Sequence, residues 1–412
     1  MTSESSLFRV MIIGAVLKDR LGYLQLRYSN ESANIPYTIF EQDSSLMQRP
    51  RDWNFGIYWA QTRLDECLTE KLKALLYTVQ TESGRAVLRI LSPKYTPNAE
   101  SILPVINGET GSLMKNIPAP WSLRLRRKKW LELLSQDLDI RWGKRLQGIT
   151  HNEKSVTLTF EDGTQEAGCL LIGAEGAHSL TREYLLGKDE AQLIDSDVVV
   201  TVALTTLNKE ASLALRKMHR RYCIVVHPNG MFVWASIHDS TSEDPAQWTW
   251  MLMQTWRSSE PTNLQGTAIL AEMREKGKDF ASPFREVFAG IPEGASVWHN
   301  RLSYWPTKKW DNRGGKITLV GDAAHPMTFH RGQGLGNAIA DAASFQQYVR
   351  EMKQYTAEEL AEAVMKYEEE LWPRGNEAVI ASKENTNMIH DWESLWKSPL
   401  FVEGLTKDEK KD

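Results

Sequence analysis

The sequence predicts a mixed α/β protein: a mainly parallel sheet that is discontinuous along the chain, an inserted antiparallel sheet, and a helical C-terminal segment. Three observations predict this. Short apolar runs at 8–15 (FRVMIIGA) and 317–320 (ITLV) have the character of parallel strands buried on both faces. Between them, Asn229-Gly230 separates two apolar runs, the strongest short-range signal for an antiparallel hairpin. From about Gly334 onward the pattern is helical. Residues 1–190 and 306–350 are expected to form one unit, 191–305 the inserted sheet, and 351–412 the helical segment.

Taken in order, the first strand ends at Gly14 and a second spans 35–40 (IPYTIF), closing on Glu41. The helix-length segment between them makes the opening a βαβ unit. Residues 124–134 (RLRRKKWLELL) read as a basic helix. Residues 155–160, the turn EDG and residues 166–173 read as a hairpin feeding another buried strand. Strands are expected at 198–204 (VVVTVAL), at 221–226 and 231–237 around the turn HPNG, and where Trp248, Trp250 and Leu252 alternate. Residues 269–289 read as a helix broken near Pro283, and Gly334 to Arg350 as a long helix. The last third reads as helices interrupted at Trp372-Pro373-Arg374-Gly375.

Composition excludes several classes. The 412 residues carry a net charge of −4, with 42% hydrophobic and 25% charged residues, an ordinary globular balance. No basic surface for nucleic acid is expected. Cys67, Cys169 and Cys223 are odd in number and far apart, so they read as free thiols in a reducing compartment and not as a metal site. No apolar stretch is long enough to span a membrane, and the N-terminus lacks a basic region before its apolar run. A cytoplasmic protein is expected; its oligomeric state is left open. Fifteen tryptophans suit either core filling or an aromatic-lined cavity for a bulky apolar ligand.

The most informative stretch is GDAAHPMTFHRGQGLGNAIADA, residues 321–342. A glycine ends a strand, Asp322 follows, and Gly332, Gly334 and Gly336 lead into a helix. Such a segment lets backbone N–H groups and a helix N-terminus approach an anion, and Asp322 suits hydrogen bonds from a polyol. The plain alternative is a glycine-rich turn with a helix cap.

This string resembles the second flavin motif of the class A FAD-dependent monooxygenases, the p-hydroxybenzoate hydroxylase-like enzymes, and more narrowly their fungal secondary-metabolism branch. Further segments carry the resemblance. LLIGAEGAHSLTR, residues 170–182, is similar to the family's strand-DG-x-x-S-x-x-R segment, with Glu175 at the Asp position and Arg182 at the arginine. Glu41 stands where the family has a ribose-binding acid, and Arg51 where it has an arginine contacting FAD, with Arg49 as a substitute. Arg127, heading R-x-x-W-x-x-x-L, matches the arginine that reaches the flavin or its phosphates. The other cations of 124–129 read as a solvated face. RGNEAVIASKENTNMIHDW resembles the family's C-terminal helices.

One segment departs from the pattern. Of the GxGxxG fingerprint only Gly14 stands, with Val16 and Asp19 where glycines are usual. A branched side chain and a negative charge both oppose a pyrophosphate there. The span from Gly14 to Glu41 also exceeds the roughly 20 to 24 residues of a compact unit.

The resemblance implies a Rossmann-like FAD-binding domain with an inserted antiparallel substrate domain. It implies NAD(P)H as co-substrate, O2, a C4a-hydroperoxyflavin, and oxygen transfer to a small apolar or aromatic molecule. The cofactor residues it implies are Gly14, Glu41, Arg51, Arg127, Asp322, Gly334 and Gly336; it assigns no catalytic residue. His227, His238 and His325 are candidate bases, although a lone histidine is more often structural. The altered fingerprint leaves a second reading: a flavin-deficient relative acting as a cyclase, an isomerase or a binding protein.

Overall fold

The computed structural model describes residues 8–14, 35–49, 51–82, 102–120, 122–136, 138–260 and 263–405. Five parallel strands form the first sheet, in the order Ile317–Leu319, Leu170–Gly173, Val10–Ile13, Tyr37–Glu41, Ile140–Trp142. Val10 pairs with Leu170 on one side and Tyr37 on the other. All four residues of Val10–Ile13 are buried, as continuous apolar runs predict for a sheet covered on both faces. The helices Gly334–Arg350 and Ala357–Ile389 contribute Phe345, Val349, Val364 and Tyr367 to the same core. The helix expected between the first two strands, with Val16 and Asp19, lies outside the described residues.

A three-stranded antiparallel sheet, Leu146–His151, Val156–Phe160 and Gln165–Gly168, leads into the parallel strand Leu170–Gly173. The larger sheet has seven strands, ordered Ser296–Tyr304, Ile194–Thr206, Thr249–Arg257, Phe232–Asp239, Tyr222–Val226, Ile102–Asn107, Leu113–Pro118. Its pairings are antiparallel except that of Tyr222–Val226 with Ile102–Asn107. It therefore reaches beyond the expected span 191–305 and recruits two earlier strands.

Period two decides what each face of this sheet does. Val199 and Ala203 pack with Met273, Phe284 and Phe288 of the helices Thr267–Gly277 and Phe284–Ala289. Val198, Val200 and Val202 pack on the opposite side with Phe232, Trp234 and Met251. Both faces are covered, so VVVTVAL is apolar at every position but Thr201 instead of alternating.

Two sequence expectations are corrected. The basic stretch is not one helix: Leu123–Arg126 is a strand paired with Asn54–Ile57, and the helix runs Arg127–Ser135. The Leu-Arg-Leu-Arg alternation already has strand period; the strong helix-forming residues beside it mask this.

Nor does the last helix break at Pro373, which lies inside Ala357–Ile389. An interior proline costs about 3 kcal/mol. Neighbouring contacts offset that cost. Arg374 bonds Asp341 at 2.7 Å and also bonds Glu370 and Asn337. A side chain at Gly375 would stand 3.3 Å from the His325 Cβ, so this glycine lets the helix settle on the loop beneath.

Candidate active site

The strand Ile317–Leu319 ends in a tight turn, Gly321–Ala323, with Gly321 at φ +60°. That left-handed conformation suits glycine. The turn is held from behind. Asp341, fully buried on the helix Gly334–Arg350, accepts from the Gly321 N–H (2.8 Å), His325 Nε2 (2.7 Å) and Arg374 Nη2 (2.7 Å). Burial pushes its carboxyl pKa up, but His325 and Arg374 outweigh this and hold it well below the ordinary range.

A second loop meets this turn through Arg182. Its guanidinium donates to the carbonyls of Ala177, Ala191 (3.1 Å) and Ala323 (2.9 Å), and lies 5.0 Å from the Trp305 ring centroid. Burial pushes its pKa down to about 10, against the pull of Glu175 and Asp322. Glu175 itself accepts from Ser179 Oγ (2.9 Å) and the Thr181 N–H (2.8 Å), securing the start of the helix Leu180–Leu186.

Gly14 closes the first strand at φ +97°, and its N–H donates to Phe40 O at 2.8 Å. A Cβ there would stand 2.4 Å from Ala174 O, so the glycine permits the strand end to meet the Glu175 loop. Glu41, buried at the end of its strand, accepts from the Asp43 N–H at 3.0 Å. Arg127 lies over Trp53, 4.5 Å from its centroid, and its Nε is buried with no hydrogen-bond acceptor among the described residues. Burial and Arg49 lower its pKa; Asp52, Asp43 and Glu41 oppose this.

Between the turn, the helix Gly334–Arg350 and the large sheet lies a cavity of about 520 Å³. Arg51, Gly176, Asp322, Gly332 and Gly334 border it on the loop side. Val200, Val202, Phe232, Trp234, Met251, Met253, Trp298 and Leu302 face them from the sheet. The cavity thus brings Arg51, Asp322 and Gly334 together. Glu41 and Arg127 form a separate electrostatic cluster, and Gly14 and Gly336 act in packing: a Cβ on Gly336 would stand 2.5 Å from Trp59 Cε2.

The described portion of this architecture has counterparts among known proteins. A family model described as "FAD binding domain" matches residues 130–381. The FAD-dependent monooxygenase cctM of Talaromyces islandicus is 46% identical over 397 residues, covering 96% of each chain. The chain belongs to the FAD-dependent monooxygenases. A second member, phnB of Penicillium herquei, is 31% identical, covering 98% of this chain and 96% of its own. The fold is similar to HpxO of Klebsiella pneumoniae complexed with FAD and uric acid (TM-score 0.73, 16% identity, 97% and 92% coverage). It is also similar to 2,6-dihydroxypyridine-3-hydroxylase of Arthrobacter nicotinovorans (TM-score 0.71, 15% identity, 93% of each chain).

This monooxygenase has residues that fit FAD. The unsatisfied Nε of Arg127 beside Glu41 suits the polar half of a dinucleotide. The N-terminus of the 17-residue helix Gly334–Arg350 opens on the cavity, placing positive potential there.

The tryptophans divide between the two roles expected of them. Of the tryptophans, Trp53, Trp234 and Trp298 line it, while Trp130, Trp250 and Trp305 are fully buried core residues. His227, His238 and His325 do not border the cavity; His330 does. Yet both His330 ring nitrogens are engaged elsewhere, Nε2 with Thr255 (3.1 Å) and Nδ1 with Thr386 (2.9 Å). Tyr58, Asn54 and Arg124 also line it. The alternation at 123–126 signalled a strand, but nothing in it separates Arg124 from Arg126, which pairs with Asp239 instead. The described residues contain no cluster of acids, His and Cys suited to a metal and no helix long and apolar enough to cross a membrane.

Proposed function

We propose that this FAD-dependent monooxygenase uses NAD(P)H and O2 to hydroxylate or epoxidise a small apolar or aromatic natural product of fungal secondary metabolism. The observation that carries the reading is the cavity itself. Its loop side presents Arg51, Asp322 and the helix start at Gly334; its opposite wall is apolar sheet. A flat, polar-edged cofactor suits the first side and an apolar substrate the second.

Asp322 accepts hydrogen bonds from the cofactor's polyol, and Arg51 binds from the exposed rim. The helix N-terminus at Gly334 favours negative charge on the adjacent ring. Glu41 takes the ribose hydroxyls and Arg127 the phosphates. Arg182, through three backbone carbonyls, orients both loops without entering the cavity. Val200, Phe232, Trp234, Met251 and Trp298 position the substrate and exclude water. Bound FAD, reduced by NAD(P)H, supplies the activation of O2.

The test is purification followed by a flavin spectrum with and without added FAD, then NAD(P)H consumption with phenolic and polyketide ligands. Flavin absorbance together with ligand-stimulated consumption and a product one oxygen heavier is expected. A preparation that takes up no FAD favours the flavin-deficient reading instead.

A further inference from the structure

The helix that Arg127 heads does not cap itself. Its N-cap residue, Arg126, gives the first turn no side-chain hydrogen bond. Another segment takes the free N–H groups instead. The Arg127 N–H donates to Trp53 O at 2.9 Å, and the Lys128 N–H donates to Asp52 Oδ1 at 3.2 Å. Asp52 thus caps this helix from a distant part of the chain, and its charge complements the helix dipole. The Arg127 guanidinium lies over the Trp53 ring and has no protein acceptor at Nε among the described residues. Asp52 and Trp53 therefore fix both the main chain and the side chain of Arg127.

Asp52 is held in turn from the large sheet. His238 Nε2 stands 3.2 Å from Asp52 Oδ2, and the two side chains are only 5% and 11% exposed. The other imidazole nitrogen, Nδ1, is buried with no hydrogen-bond partner among the described residues. Burial pushes the Asp52 carboxyl up, but His238 and the N–H groups of Lys128 and Trp53 outweigh this and hold it below the ordinary range.

A β-bulge strengthens the same junction. Ile237 pairs with Trp250 and Asp239 with Thr249, so His238 is the extra residue. Period two brings Ser236 and His238 toward the hairpin of Asn54–Ile57 and Leu123–Arg126 and would turn Asp239 away. The bulge turns Asp239 to the same side, where it pairs with Arg126 beside the helix start. Two consecutive residues of the large sheet thus grip the base of Arg127, one through Asp52 and one through Arg126.

We propose that His238, acting through Asp52, is a positioning residue for Arg127, so that the large sheet sets the grip on the cofactor's phosphates. The imidazole touches neither cofactor nor cavity. It fixes the helix start from which the guanidinium is aimed, and a binding group is only as precise as the residues that lock it. The inference rests on reading Arg127 as the phosphate-binding arginine.

A double-mutant cycle tests it, with full-length apoprotein titrated with FAD and the quenching of flavin fluorescence followed. Arg127→Met alone should weaken FAD. His238→Phe keeps a ring and removes the donor; it should weaken FAD about tenfold when Arg127 is present, the scale of one hydrogen bond to a charged group. In the Arg127→Met background the same change should cost less than about twofold, because the two residues act as one unit. His238→Gln, which returns an N–H at similar reach, should restore most of the affinity. If His238→Phe does not fold, Asp52→Asn takes its place in the cycle. Tm is measured alongside and should fall equally in both backgrounds. Wild-type FAD affinity in the His238 or Asp52 variants, or an equal loss with and without Arg127, overturns the proposal and leaves the phosphate assignment standing. Wild-type affinity in Arg127→Met contradicts that assignment, and a protein that takes up no FAD contradicts the flavin reading; either result removes the proposal's target with it.

Discussion

His325 Nε2 lies 2.7 Å from Asp341 Oδ2, and neither side chain is reached by solvent. The pair sits directly behind the turn Gly321–Ala323, and the same carboxylate oxygen accepts from the Gly321 N–H. The turn that presents Asp322 to the cavity is therefore anchored from the interior by a residue twenty positions further on.

Asp341→Asn should be strongly destabilising. It leaves Arg374 and His325 facing an uncharged amide in a dry interior, and breaking a buried pair costs about 3–5 kcal/mol. Denaturant unfolding and Tm measure this. An unchanged midpoint would mean the network is dispensable.

Asp322 and Arg127 should separate cofactor binding from folding. Asp322→Ala is expected to lower FAD occupancy with circular dichroism unchanged. Arg127→Met should weaken FAD by about ten- to a hundredfold, the range for one charge-assisted hydrogen bond. Equilibrium titration of the apoprotein with FAD gives both values, and wild-type affinity in either variant contradicts that residue's assignment.

Gly336 should matter for packing. In Gly336→Ala the new methyl meets Trp59 at 2.5–2.8 Å, and overpacking of this kind costs about 1–3 kcal/mol. Replacing Trp59 by Leu in the same chain should recover most of that loss relative to Trp59→Leu alone. Strict additivity in this double-mutant cycle rules the contact out as the cause.

His390 should make stability pH-dependent. Burial is the largest influence and lowers its pKa from 6.5 to about 4, while Nε2 bonds Thr255 at 2.8 Å. A depressed folded pKa means the unfolded chain takes up the proton first. This contribution is fully present above about pH 6.5 and is lost as pH falls from there toward 4. Tm measured from pH 7 to 5 should fall less steeply in His390→Asn than in the wild type; parallel slopes contradict the assignment.

The string 321–342 was legible as a strand, turn and helix because its elements are local; its link to flavin came from the family resemblance. A strand, a glycine turn and a helix start follow one another in 321–342, so spacing alone displays them. Arg124 was not legible in the same way: nothing in RLRRKK distinguishes a guanidinium that enters the cavity from one that meets water. That difference depends on Asn54–Ile57 pairing with Leu123–Arg126 and on Ser236 arriving from the large sheet.

The sequence by itself determined four of the five parallel strands (not the edge strand Ile140–Trp142), the hairpin at Asn229-Gly230 and the glycine-rich turn, because apolar runs, period two and positive φ each leave a mark on neighbouring residues. Tertiary structure decided the course of the last helix through Pro373, the recruitment of Ile102–Asn107 and Leu113–Pro118 into the large sheet, and which cations are buried. Those outcomes depend on contacts between residues far apart in the chain. Arg374 reaching Asp341, or Arg124 reaching Tyr58, has an energy only once folding has excluded water between the partners.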